Sequence, residues 1–253
     1  MLANIFDWLI KNKEWLFSGI GISVIAVLFA HGKQIYNRFV FSHKHKSSIF
    51  KEYYLVFYET VFNKLDVKNY ATWTYYMALD GYLLLSNSQY ENLHEVKDML
   101  RRSVSHVGYQ RLDGLNRNMA QIIEDLIYVL DSHLELRADG AMTLKRFYKN
   151  PFPNPNYDDD LRRYNQICYL IADLALELTR VSNLILDIIR DKEPGFLVEV
   201  GTLSILHTRF KSFKYRKDEI SDSPYPGLQH FLVIRGSRDA FMDKSTDLDL
   251  NNL

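Results

Sequence analysis

The sequence predicts a mainly α-helical membrane protein, in which one N-terminal transmembrane helix precedes a cytoplasmic helical bundle. An uncharged run extends from Trp15 to Ala30. Beyond it, apolar residues recur at steps of three and four, the period of amphipathic helices. Hydrophobic residues form 47% of the chain, and 31 basic residues balance 31 acidic ones. This composition supports a sizeable core, so residues 47–238 are predicted to form one domain.

The uncharged run is predicted to span the membrane, within a segment that covers residues 1–32. As a helix, its sixteen residues would extend roughly 24 Å, a little less than the roughly 30 Å hydrocarbon core of a bilayer. Lys and Arg are denser after the run, in a linker at residues 33–46, which places the following domain in the cytoplasm. The alternatives are an interfacial or core helix and a signal peptide. Leu28 argues against the signal peptide, because cleavage sites need a small residue two positions before Ala30.

Small residues form a stripe along one face of this predicted span. They occur at steps of four, three and four, and small side chains allow close contact between helices in lipid. The stripe predicts a homo-oligomer; the alternative is that such residues are simply common in membrane helices. Its members are Gly19, Ser23, Ala26 and Ala30.

Five helices are predicted in the soluble part, near residues 47–64, 67–86, 89–108, 115–137 and 158–191. The last is the best defined, because three aspartates at 158–160 suit a helix N-terminus and Pro194-Gly195 ends the pattern. A long apolar seam favours a central bundle helix over a free coiled coil. The seam comprises Tyr164, Ile167, Ile171, Leu174, Leu178, Val181, Ile185 and Ile188.

The pattern changes after this helix. Residues 196–200 and 230–234 are short runs rich in β-branched and aromatic side chains, which predict a small two-stranded β element near the C-terminus. The alternative is that both runs are apolar ends of helices. Residues 239–253 are polar and acidic, and they are predicted to form a flexible tail that does not pack.

Cations and aromatic rings alternate in residues 209–217, here called the basic-aromatic segment. Such a mixture can bind phosphates and stack on bases, which predicts contact with RNA, single-stranded DNA or a nucleotide signal. A solvated surface and a lipid headgroup contact are the alternatives. The chain has zero net charge and a pI near 7.1, which argues against general nucleic-acid binding. The candidate contacts are Arg209, Lys211, Phe213, Lys214, Arg216 and Lys217.

Few residues indicate chemistry. Arg101 and His106 are separated by four residues, which resembles the Arg-x4-6-His motif of the helical HEPN ribonucleases. This resemblance implies that the pair converges on an RNA phosphate at a dimer interface, with His106 in acid-base catalysis. Arg102 departs from the motif, because the family usually has a polar residue after its Arg. With one cysteine, Cys168, and no phosphate-binding loop, neither a metal nor a cofactor is predicted, and the protein is expected not to be an enzyme.

Residues 12–21, with the sequence NKEWLFSGIG, resemble an N-terminal membrane segment of bacterial anti-phage effectors of the retron or cyclic-nucleotide type. The resemblance implies an inner-membrane protein held inactive by its cytoplasmic domain or by a partner complex, then released to disturb the membrane. We therefore expect a defence effector whose partners are membrane lipid, further copies or a protein complex, and a nucleotide signal. The alternatives are a membrane-tethered scaffold or adaptor without toxic activity and, third, a HEPN-like ribonuclease.

Overall fold

A computed structural model describes residues 50–78, 83–106, 108–149, 151–205, 223–239, 242–244, 248 and 253. The chain divides into two compact units, Met1–Tyr54 and Leu55–Leu253. Within the first unit the described residues belong to a π-helical turn, Phe50–Leu55. None of the helices in these ranges has the length and apolar character that a bilayer crossing requires. The predicted span and basic linker lie outside the described residues.

The second unit is mainly helical, as predicted. Its longest helix, α5, packs against α4 and α2, while α3 packs against both α4 and α1. Most residues of α5 are buried, 21 of its 34, so the helix lies in the interior of the unit. The described residues form six α-helices: α1 (Val56–Lys64), α2 (Tyr70–Ala78), α3 (Asn87–Arg101), α4 (Gln110–His133), α5 (Tyr157–Arg190) and α6 (Leu228–Arg238).

The prediction for α5 is confirmed closely. The helix begins one residue before the three aspartates and ends at Arg190, shortly before Pro194-Gly195. Seven of the eight seam residues are buried, while Ile188 is half-buried. Leu170 and Leu186 are buried as well, so the helix is covered on more than one side. The buried seam residues are Tyr164, Ile167, Ile171, Leu174, Leu178, Val181 and Ile185.

A small antiparallel sheet lies in the middle of the chain rather than near its C-terminus. Its strands are β1 (Leu84–Ser86), β2 (Leu134–Leu136) and β3 (Ala141–Leu144), with β3 in the centre. The register pairs Leu85 with Met142 and Leu136 with the same Met142. Strands of three or four residues carry too little periodicity to be recognised in a sequence.

The predicted two-stranded element is wrong. The first run ends in a short 3-10 helix, Val198–Val200, and the second lies within α6. In α6 the buried residues Leu228, Phe231, Leu232 and Arg235 follow helical spacing. A five-residue apolar run does not distinguish a strand from a buried helix segment, and the helical alternative applies to α6.

The helix predicted for residues 67–86 is correct only in part. A 3-10 turn, Val67–Asn69, leads into α2, but Leu84–Ser86 forms β1. Ser86 then ends the strand and caps α3. Its Oγ accepts the Gln89 N–H at 3.1 Å, and Oε1 of Gln89 accepts the Ser86 N–H at 3.1 Å. This reciprocal capping box explains why polar residues stand at 86–89, where β1 ends and α3 begins.

The acidic tail is not wholly unpacked. Met242 is 4% exposed and Leu248 is 3% exposed, which contradicts the predicted lack of packing at these positions. The composition of the region did not predict that Met242 and Leu248 are buried, because acidic and polar neighbours dominate it.

Candidate functional site

Three charged residues on α5 are buried on one side of the helix. Asp173, Glu177 and Arg180 are separated by four and three residues, so their side chains share a face. Their side chains are 8%, 1% and 5% exposed. Two arginines of α6 and one aspartate beyond it meet them. We call the six residues the charge cluster: Asp173, Glu177, Arg180, Arg235, Arg238 and Asp243.

Glu177 is bound by two arginines. Arg238 donates from Nε to Oε1 at 2.6 Å and from Nη2 to Oε2 at 3.0 Å. Arg180 forms an ion pair with the same carboxylate from one helical turn away. A two-pronged contact between guanidinium and carboxylate fixes the orientation of both groups. The last turn of α6 is thereby held against α5.

Arg235 holds the second half of the cluster and is 1% exposed. Its Nη2 donates to Oδ2 of Asp243 at 2.8 Å, and its Nη1 lies 3.3 Å from Oδ2 of Asp173. The same Asp173 oxygen accepts the backbone N–H of Asp243 at 3.2 Å. The chain that follows α6 is thus tied to α5 through one buried arginine.

The two buried carboxyl groups that α5 contributes to the charge cluster have raised pKa values. Burial raises the pKa of Glu177 to about 7, although the neighbouring Arg180 opposes the rise. Burial also raises the pKa of Asp173 well above its usual value, with Arg235 opposing. Removing a carboxylate from water penalises its charged form, and here that penalty exceeds the attraction of the arginines. The charge of the cluster is therefore sensitive to protons near neutral pH.

Polar side chains of α5 and α6 also bind the chain on both sides of residues 206–222. Before that stretch, Asn183 exchanges two hydrogen bonds with the backbone of Leu203, at 3.0 and 2.9 Å. After it, the Ser223 carbonyl accepts Nη2 of Arg238 at 2.9 Å and Nη2 of Arg180 at 3.3 Å. The charge cluster thus connects α5, α6 and the chain that enters α6.

The start of α6 is held by α4 instead. Oδ2 of Asp125 accepts the N–H of Leu228, the first residue of α6, at 2.9 Å. Oδ1 of Asn118 accepts the N–H of Tyr225 at 2.8 Å. A carboxylate at a helix N-terminus satisfies a backbone donor and complements the helix dipole. Both ends of α6 are therefore fixed by buried polar contacts from other helices.

The predicted ribonuclease pair is divided between two structural elements. Arg101 is the last residue of α3 and forms an ion pair with Glu124 of α4. His106 lies in the connection to α4, with Nδ1 3.1 Å from the carbonyl oxygen of Val104. The two residues therefore do not share a helix. Whether they meet across a dimer interface stays a prediction.

The other predicted site residues lie outside the described part of the chain. They are the span residues Gly19, Ser23, Ala26 and Ala30 and the basic-aromatic residues Arg209, Lys211, Phe213, Lys214, Arg216 and Lys217. Within the described part, no cluster of His, Cys, Asp and Glu has the arrangement of a metal site. An open cleft of about 270 Å³ beside the charge cluster is lined by Leu232, Val233, Arg235, Gly236, Ser237, Asp243 and Lys244.

The charge cluster was not predicted from the sequence, although a signal was present. Asp173, Glu177 and Arg180 form a charged stripe at helical spacing inside a helix that is otherwise strongly apolar. Charged residues are almost never fully buried unless they are paired, so such a stripe predicts buried partners from elsewhere. The partners themselves follow 55 or more residues later and carry no local signal.

Comparison of the chain with models of known protein families, with curated proteins and with solved structures finds no match.

Proposed function

We propose that this protein is a membrane-anchored effector of a bacterial anti-phage defence system, without enzymatic activity. In this proposal the helical domain binds a partner or a nucleotide-containing signal and controls how the span disturbs the inner membrane. The observation that carries it is the uncharged run Trp15–Ala30, with its stripe of small residues and its basic C-terminal flank. These features favour a span that associates with copies of itself.

The charge cluster supports a controlling role for the helical domain. It attaches α6 to α5 through buried ion pairs and holds the chain at Ser223 through hydrogen bonds to its carbonyl oxygen. Buried ion pairs depend strongly on every partner, because loss of one leaves an uncompensated charge in a poorly solvated site. A binding event that displaced one of these arginines would therefore release several contacts together. That behaviour suits a domain that changes state on binding.

The test compares membrane potential in bacteria that express the full chain or a chain lacking residues 1–32, with and without phage challenge. We expect depolarisation, read by a voltage-sensitive dye, only when residues 1–32 are present. The combined substitutions Gly19→Leu and Ser23→Leu should abolish it, because large side chains prevent close helix contact. Gly21→Leu with Val24→Leu is the matched control, since it adds similar bulk to the other side of the helix.

The same experiment separates the two other functions. A membrane potential that never changes, even during phage challenge, would contradict the effector and leave the scaffold or adaptor. Growth arrest that persists in the span variants but disappears with His106→Ala would instead support the ribonuclease.

A further inference from the structure

A phenylalanine stands almost fully in water on the loop before α5. Phe152 is 94% exposed, more than any other large hydrophobic residue in the described ranges. Pro151 and Pro153 flank it, and the proline rings restrict the backbone on both sides. Single exposed apolar side chains are ordinary on protein surfaces, so a binding role for Phe152 depends on the residues that lie near it in the chain.

The loop is held in place by an asparagine. Nδ2 of Asn154 donates to the carbonyl oxygen of Tyr148 at 3.0 Å and to Oδ2 of Asp160 at 2.8 Å. Its Oδ1 accepts the N–H of Asn156 at 2.8 Å. These contacts connect the loop to a 3-10 turn, Phe147–Lys149, and to the first turn of α5. The loop that carries Phe152 is therefore attached to both elements through Asn154.

Cations lie close to Phe152 along the chain. Lys145 and Lys149 are exposed, while Arg146 and Arg163 are half-buried. Tyr157, which begins α5, is 46% exposed and supplies an amphipathic ring of the kind enriched at membrane interfaces. We call Lys145, Arg146, Lys149, Phe152 and Tyr157 the Phe152 surface.

The aromatic rings behind this surface are already engaged. The rings of Phe147 and Tyr148 pack edge-on against Tyr164, with centroids 6.1 and 5.0 Å apart. The Arg163 guanidinium lies 5.6 Å from the Phe147 centroid, and Lys149 Nζ lies 5.8 Å from that of Tyr148. Stacking of successive bases needs a row of accessible ring faces. One exposed ring, with cations at nearby positions of the chain, is better suited to insertion into a lipid surface.

Three aspartates at residues 158–160 oppose the attraction to anionic lipid. Asp159 is paired with Arg162 at 2.5 Å, and Asp160 accepts the hydrogen bond from Asn154. The positive end of the α5 dipole offsets part of the remaining charge. Lys145 and Lys149 are therefore the exposed cations of the Phe152 surface that can contact phosphate headgroups.

We propose that the Phe152 surface binds an anionic lipid bilayer, with the Phe152 ring in the acyl region and Lys145 and Lys149 on headgroup phosphates. The inference rests on the proposed function, in which the chain is tethered to a membrane. It adds a second membrane contact, made by the helical domain itself. Insertion by the loop would set the orientation of that domain on the bilayer.

The experiment uses the full chain in lipid nanodiscs with an environment-sensitive fluorophore at Phe152→Cys. The native Cys168 is buried and Val233→Cys is the matched control, because Val233 is 69% exposed on α6. We expect spin-labelled lipid to quench the probe at residue 152 in phosphatidylglycerol-containing discs. Quenching should be weaker in pure phosphatidylcholine discs and absent at residue 233.

Charge variants test the headgroup contact. Lys149→Gln should lower the insertion equilibrium roughly fivefold, as expected for one cation near an anionic surface. Lys68→Gln serves as the control, because Lys68 is exposed elsewhere and lies 3.6 Å from Glu199.

Three results would overturn the inference or its basis. An unquenched probe at residue 152 in both lipids, together with intact depolarisation in cells, would reject the lipid contact and leave the proposed function standing. A chain that does not enter nanodiscs would reject the proposed function itself. A probe that responds to a single-stranded oligonucleotide and not to lipid would reassign the surface to nucleic acid.

Discussion

Two sides of the same helix are stabilised in different ways. One side of α5 carries the buried apolar seam from Tyr164 to Ile185, while another carries Asp173, Glu177 and Arg180. Apolar contacts are non-directional and add up over many neighbours. Buried charges depend on a few named partners at short distances, and each lost partner leaves an unsatisfied group. The apolar side of α5 should therefore tolerate the loss of one contact better than the charged side, where each group depends on particular partners.

The largest effect is expected on the charged side, from Arg238→Leu. This substitution removes both hydrogen bonds to Glu177 and the contact with the Ser223 carbonyl. The free energy of unfolding should fall by about 3–5 kcal/mol at about pH 8, as for other broken buried ion pairs. Denaturant unfolding of the full chain in detergent measures the loss. Hydrogen exchange should show that α6 loses protection before α4.

The loss of unfolding free energy in Arg238→Leu should depend on pH, because Glu177 binds a proton near neutral pH. The pKa of Glu177 is about 7 in the folded protein, against 4.5 for an ordinary glutamate. Between these values the folded state holds a proton that the unfolded state has released, so stability falls as pH rises through about 7. Protonated Glu177 needs no counter-charge, and the loss caused by Arg238→Leu should shrink at about pH 5.5. A loss that is equal at both pH values would contradict the pKa assigned to Glu177.

Arg238→Lys separates charge from geometry. Lysine keeps the positive charge but cannot contact both carboxylate oxygens with a fixed fork. We expect a loss between those of the parent chain and the leucine variant. A lysine variant as stable as the parent would show that charge alone holds α6.

On the apolar side, Leu178→Ala should destabilise the chain by about 2–5 kcal/mol, because it leaves a cavity around a residue that is 0% exposed. Leu178 lies one position from Glu177 yet carries no titratable group. The loss should therefore be the same at about pH 5.5 and about pH 8. Unfolding in denaturant at both pH values makes the comparison with Arg238→Leu direct. A loss confined to higher pH would show that the two sides of α5 are coupled.

The sequence predicted the apolar side of α5 well and the charged side not at all. Apolar residues at steps of three and four reveal a buried seam without knowledge of the partner, because any apolar surface can cover it. Buried charges need specific partners, and Arg235 and Arg238 lie more than fifty residues further along the chain. The residues next to a buried charge in the sequence do not indicate which distant residue pairs with it. The sheet was not predicted for the same reason, because β1 pairs with β3 across 55 residues of the chain.

The sequence predicted correctly those features that nearby residues determine. The aspartates at 158–160 and Pro194-Gly195 marked the two ends of α5, because helix termini are stabilised by nearby residues. The run at 230–234 was misread as a strand, since tertiary packing decides the state of a short apolar run. The residues predicted for the span and for nucleotide contact lie outside the described structure and stay predictions.

A smaller effect is expected where the tail crosses α6. A Cβ at Gly236 would lie 2.8 Å from the Cα of Lys244 and 3.1 Å from the carbonyl oxygen of Asp243. Gly236→Ala should therefore push this segment away and weaken the contact between Asp243 and Arg235. We expect a loss of about 1–3 kcal/mol, typical of overpacking, together with faster hydrogen exchange at Met242–Lys244. Unchanged exchange there would contradict the close approach.

A glycine-to-alanine substitution on α4 should instead stabilise the chain, and its effect on the free energy of unfolding should be the smallest of these. Gly114 lies within α4, and a Cβ there would meet no atom within 4 Å. Gly114→Ala should stabilise the chain by about 0.5–1 kcal/mol, because alanine loses less backbone entropy in a helix than glycine does. Alanine at Gly236 gains the same helical preference, so the difference between the two variants measures the steric cost of tail contact alone. If Gly236→Ala were also stabilising, the tail would contribute little to holding Arg235, which would then depend on its contact with Asp173.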